Sequence, residues 1–78
     1  MEKANMSPPI IAITPSDATV YEPPLTGIRA GAAGHISIRS KGATVVLSNV
    51  AVGEVIAGEI NQVLNTGTTA TLITGWQW

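Results

Sequence analysis

Leu25-Thr26-Gly27-Ile28-Arg29-Ala30-Gly31-Ala32-Ala33-Gly34-His35-Ile36-Ser37-Ile38-Arg39-Ser40 is the stretch that decides the fold class. Two runs, Leu25 to Ala30 and His35 to Ser40, flank the compact loop Gly31-Ala32-Ala33-Gly34, and that arrangement predicts a β-hairpin. The second run alternates with the period of a strand that has one face in a core, so Ile36 and Ile38 face inward and Arg39 points away.

The same signals recur on both sides. Ile10-Ile11-Ala12-Ile13 reads as a short strand stopped by Thr14-Pro15-Ser16-Asp17, where Pro15 suits a turn and Ser16 or Asp17 can bond nearby amides. Val20-Tyr21 allows a brief pairing before Glu22-Pro23-Pro24 interrupts it, since a double Pro removes ladder donors and belongs on an edge. Lys41-Gly42 makes a tight turn into Ala43 to Ser48, and Asn49 to Glu54 carries the chain round to Val55-Ile56-Ala57, where Gly58 breaks the run. Glu59 to Leu64 has helical spacing at Ile60, Val63 and Leu64, but six uncapped residues are marginal as a helix in water, so the segment is assigned as a strand.

The ending, Asn65-Thr66-Gly67-Thr68-Thr69-Ala70-Thr71-Leu72-Ile73-Thr74-Gly75-Trp76-Gln77-Trp78, is a Thr- and Gly-rich turn followed by β-branched residues, read as an edge or closing strand with an aromatic anchor. The sum is an all-β chain: a small antiparallel β-sandwich or barrel of about six or seven short strands. Residues 1–9 form an extended N-terminal arm ending in Pro8-Pro9, and residues 10–78 form a single β domain.

Size and composition bear on how such a domain holds together. A chain of 78 residues has room for one domain, and one this small buries only about 60% of the surface its unfolded chain exposes. There is no Cys for a disulfide or thiolate metal site, so self-association is the stabiliser left. The chain is 45% hydrophobic and 12% charged, against about 25% charged residues in average proteins. That much apolar surface points to partner contacts.

Net charge is −1, and Lys3, Arg29, Arg39 and Lys41 are spread out, which argues against nucleic-acid binding. Residues 1–9 lack the order of a cleaved signal, and the apolar stretch from Val45 to Gly58 is interrupted by polar residues, so neither export by signal cleavage nor membrane insertion is expected.

Residue types that carry chemistry are present but poorly arranged. Ser16, Asp17 and His35 are the types of a hydrolytic triad, yet the first two are adjacent in a turn. Glu54 and Glu59 flank a Gly-containing turn and read as solvated carboxylates rather than an acid-base pair. Gly31 to Gly34 lacks the Lys and helix of a phosphate loop, and His35 with the carboxylates matches no standard metal spacing. The expectation is no enzyme activity, no catalytic residues, no cofactor and no metal.

Tyr21, Trp76 and Trp78 are the aromatic inventory. They could stack on sugar rings in a glycan-binding module, but Trp at one-residue spacing on a terminal strand fits better as an anchor against a neighbour or the core. With the arm, this gives an expected interface of Pro8, Pro9, Tyr21, Trp76 and Trp78.

Four segments in order, Ala12-Ile13-Thr14-Pro15-Ser16-Asp17, Gly31 to Gly34, Asn49-Val50-Ala51-Val52-Gly53-Glu54 and Asn65 to Thr71, resemble the spike base protein family of tailed-phage and gene-transfer-agent heads. The resemblance runs from about Ile10 to Trp78. Val55 to Ile60 lacks the Pro associated with that region of the family, and two Trp residues replace one terminal aromatic. The resemblance implies a virion structural protein on the outer surface of the head, oligomerising with itself as a pentamer or trimer. Its further partners would be the major capsid protein and a spike or fibre protein; a capsid cement protein is the neighbouring alternative.

Overall fold

The computed structural model describes residues 10–77. The chain order is β1 (Ile10–Ile13), β2 (Leu25–Arg29), β3 (Gly34–Ser40), β4 (Ala43–Val50), β5 (Val55–Ile60), β6 (Gln62–Leu64) and β7 (Ile73–Gln77). All pairings are antiparallel, in a four-stranded sheet of order β1-β7-β2-β5 and a three-stranded sheet of order β4-β3-β6. No helix long and apolar enough to cross a membrane occurs among the described residues. The arm (residues 1–9, with Pro8 and Pro9) and Trp78 lie outside the described residues.

The sandwich encloses a core of Ile13, Leu25, Ile28, Ala30, Ile36, Ile38, Val50, Ile60, Val63, Ala70 and Ile73, with Ile11, Tyr21, Leu47 and Ile56 packed against it. Every one of these but Tyr21 is aliphatic. Branched side chains on alternating strand positions interdigitate between two sheets, which is how a chain without Phe still closes a core. Ile36 and Ile38 point inward and Arg39 outward, as the alternation predicts.

Four sequence expectations are corrected. The runs around Gly31 to Gly34 are not a hairpin: β2 pairs with β7 and β5, and β3 pairs with β4 and β6, so the loop crosses between sheets. The crossing is held at one end by Gly53 N–H donating to the Ala30 carbonyl (2.8 Å) and at the other by Thr69 and Ala70 N–H donating to the His35 carbonyl (2.8 and 3.1 Å). Gly58 does not break the preceding strand, because β5 continues through it to Ile60. Glu59 to Leu64 is two strands in different sheets, parted at Asn61, whose N–H donates to the Arg39 carbonyl (2.8 Å) and whose carbonyl accepts from Tyr21 N–H (2.8 Å).

The last correction concerns the C-terminus. β7 is an interior strand between β1 and β2, not an edge; the Thr- and Gly-rich turn expected before it is the loop Asn65 to Leu72. Its threonines act through their hydroxyls. Thr69 Oγ1 accepts from His35 N–H (2.8 Å) and Thr68 Oγ1 accepts from Ser37 N–H (3.0 Å), while Thr68 Oγ1–H donates to the Leu64 carbonyl (2.5 Å). They satisfy the β3 donors that β6, only three residues long, cannot reach. Val20-Tyr21 forms no strand, and its pairing is limited to the Tyr21–Asn61 bond.

Candidate interaction surface

Strand parity places Ile11, Ile13, Ile28, Ile56 and Ile73 on the core side of the four-stranded sheet, so the residues between them form its outer face. The register aligns Ile10, Trp76, Gly27 and Ala57 in one row across all four strands. The next row is Ala12, Thr74, Arg29 and Val55. The first row carries no polar side chain and the second one cation; a solvated sheet face ordinarily alternates to polar residues.

Trp76 is the centre of this face. Its indole lies flat across Gly27: a Cβ there would run into Cζ2 and stand 2.7 Å from Cε2. Only glycine leaves room for that approach, and the ring stays half-buried on its own sheet with one surface still open. Beside it Ile10 is 74% exposed and Val55 55% exposed. Large side chains left this open on one face mark a contact surface rather than a second core.

Tyr21 is in a different setting. It packs against the core cluster from the loop after β1, and burial pushes its phenol pKa up. Near the adjacent Pro23-Pro24 turn, a groove of about 440 Å³ is lined by Pro23, Pro24, Leu25, Thr26, Gly58 and Glu59. Gln77 Nε2 donates to the Pro23 carbonyl (2.6 Å), tying the turn to the end of β7.

The hydrophilic candidates all have local structural partners. Ser16 Oγ accepts from Ala18 and Thr19 N–H (3.2 and 3.3 Å), a turn bond. Asp17 Oδ1 accepts from Asn65 and Thr66 N–H (2.8 and 3.0 Å), and Oδ2 accepts from Thr66 Oγ1–H (2.6 Å). The Thr66 hydroxyl and amide, and to a lesser degree the Asn65 amide, hold the Asp17 carboxyl below the ordinary carboxylate range against the opposing effect of burial. His35 Nδ1 accepts from Asn49 N–H (3.1 Å), which fixes the ring beside β4. The bonds of these three side chains lead elsewhere than to one another.

Glu54 Oε1 accepts from Ala51 N–H (2.9 Å) across its own turn, and Glu59 stands 4.0 Å from Lys41 in an exposed ion pair. No group of three or more metal-ligating side chains occurs among the described residues.

Trp76 stands out in the sequence by its size, whereas Ile10, Gly27 and Ala57 beside it do not, because their alignment depends on which strands are neighbours. An isolated Gly within the Leu25–Arg29 strand was the one available signal, since it marks a close approach by another group.

The fold and this surface define a small β-sandwich whose distinctive chemistry is on an open apolar face. No family model matches the sequence, and no curated protein matches it. A chain in the solved structure "Capsid of native GTA particle computed with C5 symmetry" does match, with a TM-score of 0.78 and 30% identity over 99% of this chain and 92% of that chain. GTA denotes a gene transfer agent. The protein therefore belongs to the head proteins of phages and gene transfer agents, and is a structural protein of the virion.

Proposed function

We propose that this chain is a spike base: a small β module that oligomerises on the outer surface of the head and carries a spike or fibre. The role is structural, not catalytic, and uses no cofactor. The observation that carries the reading is the end-to-end likeness to a chain of a capsid solved with five-fold symmetry, joined to the spike-base-like order of segments from Ala12 to Thr71. In this reading the chain is a pentamer at a head vertex.

In this reading the row Ile10, Trp76, Gly27 and Ala57 seats on the major capsid protein, with Pro8, Pro9 and Trp78 adding to the contact. A flat apolar face with an aromatic centre suits a shell that offers fixed geometry and needs no charge steering. Tyr21 and the Pro23-Pro24 groove are left to the spike or fibre protein.

Cryo-electron microscopy of particles carrying this protein with a small fusion label tests the proposal. Label at the vertices, five to a vertex, is expected. Label spread over every capsomer would establish a cement protein instead, and label inside the head would overturn both. A glycan role predicts a Trp fluorescence change on adding sugars, and the spike-base reading predicts none.

A further inference from the structure

We propose that the open edge of β4 is a subunit interface, completed when β5, the edge strand of the four-stranded sheet in a second copy of this chain, adds to the three-stranded sheet head to tail. The inference deepens the spike-base reading by naming a surface for self-assembly, and rests on that reading only for its setting on the head.

The turn of the β3–β4 hairpin fixes which backbone groups of β4 face outward. Lys41 (φ 50°) and Gly42 (φ 86°) form a two-residue turn with both central residues left-handed, so the flanking pair Ser40–Ala43 exchanges hydrogen bonds. Alternation then bonds Val45 and Leu47 to Ile38 and Ile36, and turns the backbone N–H and C=O groups of Thr44 and Val46 outward. The opposite side of β3 confirms the phase. His35 and Ser37 N–H donate to Thr69 and Thr68, and the Arg39 carbonyl accepts from Asn61, all away from β4.

Two of the other sheet edges, β6 and β1, are finished. β6 is covered by the loop after β1: Ser16 N–H donates to the Val63 carbonyl (2.9 Å), and Asp17 takes the Asn65 and Thr66 amides just beyond the strand. β5 runs unbroken through Gly58 and stays open over Val55 to Gly58, with Glu59, paired with Lys41, near its far end. β1 has four residues and follows Pro8-Pro9, which have no N–H to offer.

β4 has a bulge at Ser48–Asn49, where Asn49 is left-handed (φ 57°), but none of these devices over Ala43 to Leu47. It is eight residues long, Ala43-Thr44-Val45-Val46-Leu47-Ser48-Asn49-Val50, without a charge, Pro or Gly. Val45 is 41% and Val46 56% exposed, on opposite faces of the strand. An uncharged edge of this length templates another strand. β4 itself carries no charge, and the one guanidinium beside it, Arg39, donates to the Thr44 hydroxyl (3.5 Å), so a second copy meets no like-charge repulsion along the strand.

Residue-resolved amide hydrogen exchange on the full-length oligomer, against monomer obtained by dilution, tests the proposal. Val45 and Leu47 are the internal control, since β3 protects them in both states. Thr44 and Val46 amides are expected to exchange at least about 100-fold more slowly in the oligomer. Val46→Pro removes an N–H that has no partner among the described residues, and Thr44→Lys places a charge on the edge; each is expected to abolish the oligomer. Thr44→Lys also guards against a Val46→Pro chain that fails to fold, with circular dichroism as the check.

Free exchange at Thr44 and Val46 in the intact oligomer overturns the inference, as does an oligomer that survives Thr44→Lys. Protection that arises only on particles assigns the edge to another virion protein and overturns it too. An oligomer with protected β4 amides that never binds heads would sink the spike-base reading and leave this inference standing.

Discussion

The two edges of the three-stranded sheet are opposites. At β6 the chain spends a loop, an Asp and two Thr hydroxyls on satisfying backbone groups around a strand of three residues. At β4 it leaves a strand of eight residues whose outward Thr44 and Val46 amides have no partner among the described residues and whose valines are open to solvent. A chain that can seal one edge so thoroughly has the means to seal the other. The difference separates what the subunit settles for itself from what it leaves to a neighbour.

The largest effect falls on what the two edges share. Ile28→Ala empties a fully buried site between the sheets, and a loss of about 2–5 kcal/mol is expected, read by denaturant unfolding of the isolated subunit. Both edges fail together, so a smaller loss would mean the core is not common to them.

Gly27→Val comes next. It drives a side chain into the Trp76 indole, and overpacking of this kind costs about 1–3 kcal/mol. Trp emission should shift to the red as the ring lifts, and head binding should fall, while exchange at the β4 amides stays as it was.

Thr68→Val probes the sealed edge alone. It keeps the shape and removes the acceptor of Ser37 N–H, leaving a part-buried donor unsatisfied at a cost of about 1–3 kcal/mol. The comparable change on the bare edge, Thr44→Lys, should alter subunit stability by less than about 0.5 kcal/mol while abolishing assembly. Equal effects at the two positions would erase the contrast.

Asp17 gives the smallest and most pH-specific effect. Its folded pKa is depressed below the ordinary 3.8, so its stabilisation is in place above that value and is lost as pH falls through the folded one. Asp17→Asn should flatten this acid limb without changing the shape of the unfolding curve at neutral pH. An unchanged acid limb would show that the carboxylate does not hold the β6 side.

Much of the fold was legible because strand chemistry is local. Val, Ile and Thr runs bounded by Gly and Pro located most of the strands, and the alternation at His35 to Ser40 told which side chains were inward. The β2–β3 error shows the limit. A four-residue loop between two strand-like runs fits a hairpin, and nothing local says that Ala30 and His35 will bond to Gly53 and Thr69 instead. The candidate surface was legible to the same degree: Trp76 announced itself by size, while Ile10, Gly27 and Ala57 look ordinary until the register aligns them.

The amino-acid order by itself determined an all-β chain, poor in charge, with its inward residues marked by period two and its turns marked by Gly, Pro and Asp. Tertiary structure alone decided which strand lies beside which, and with that the apolar row over Gly27, the interior place of β7 and the bare edge of β4. The physical reason is that a side chain's facing is set by the pleat of its own strand, whereas a strand's neighbour is chosen by hydrogen bonds to residues tens of positions away, where every backbone offers the same donors and acceptors.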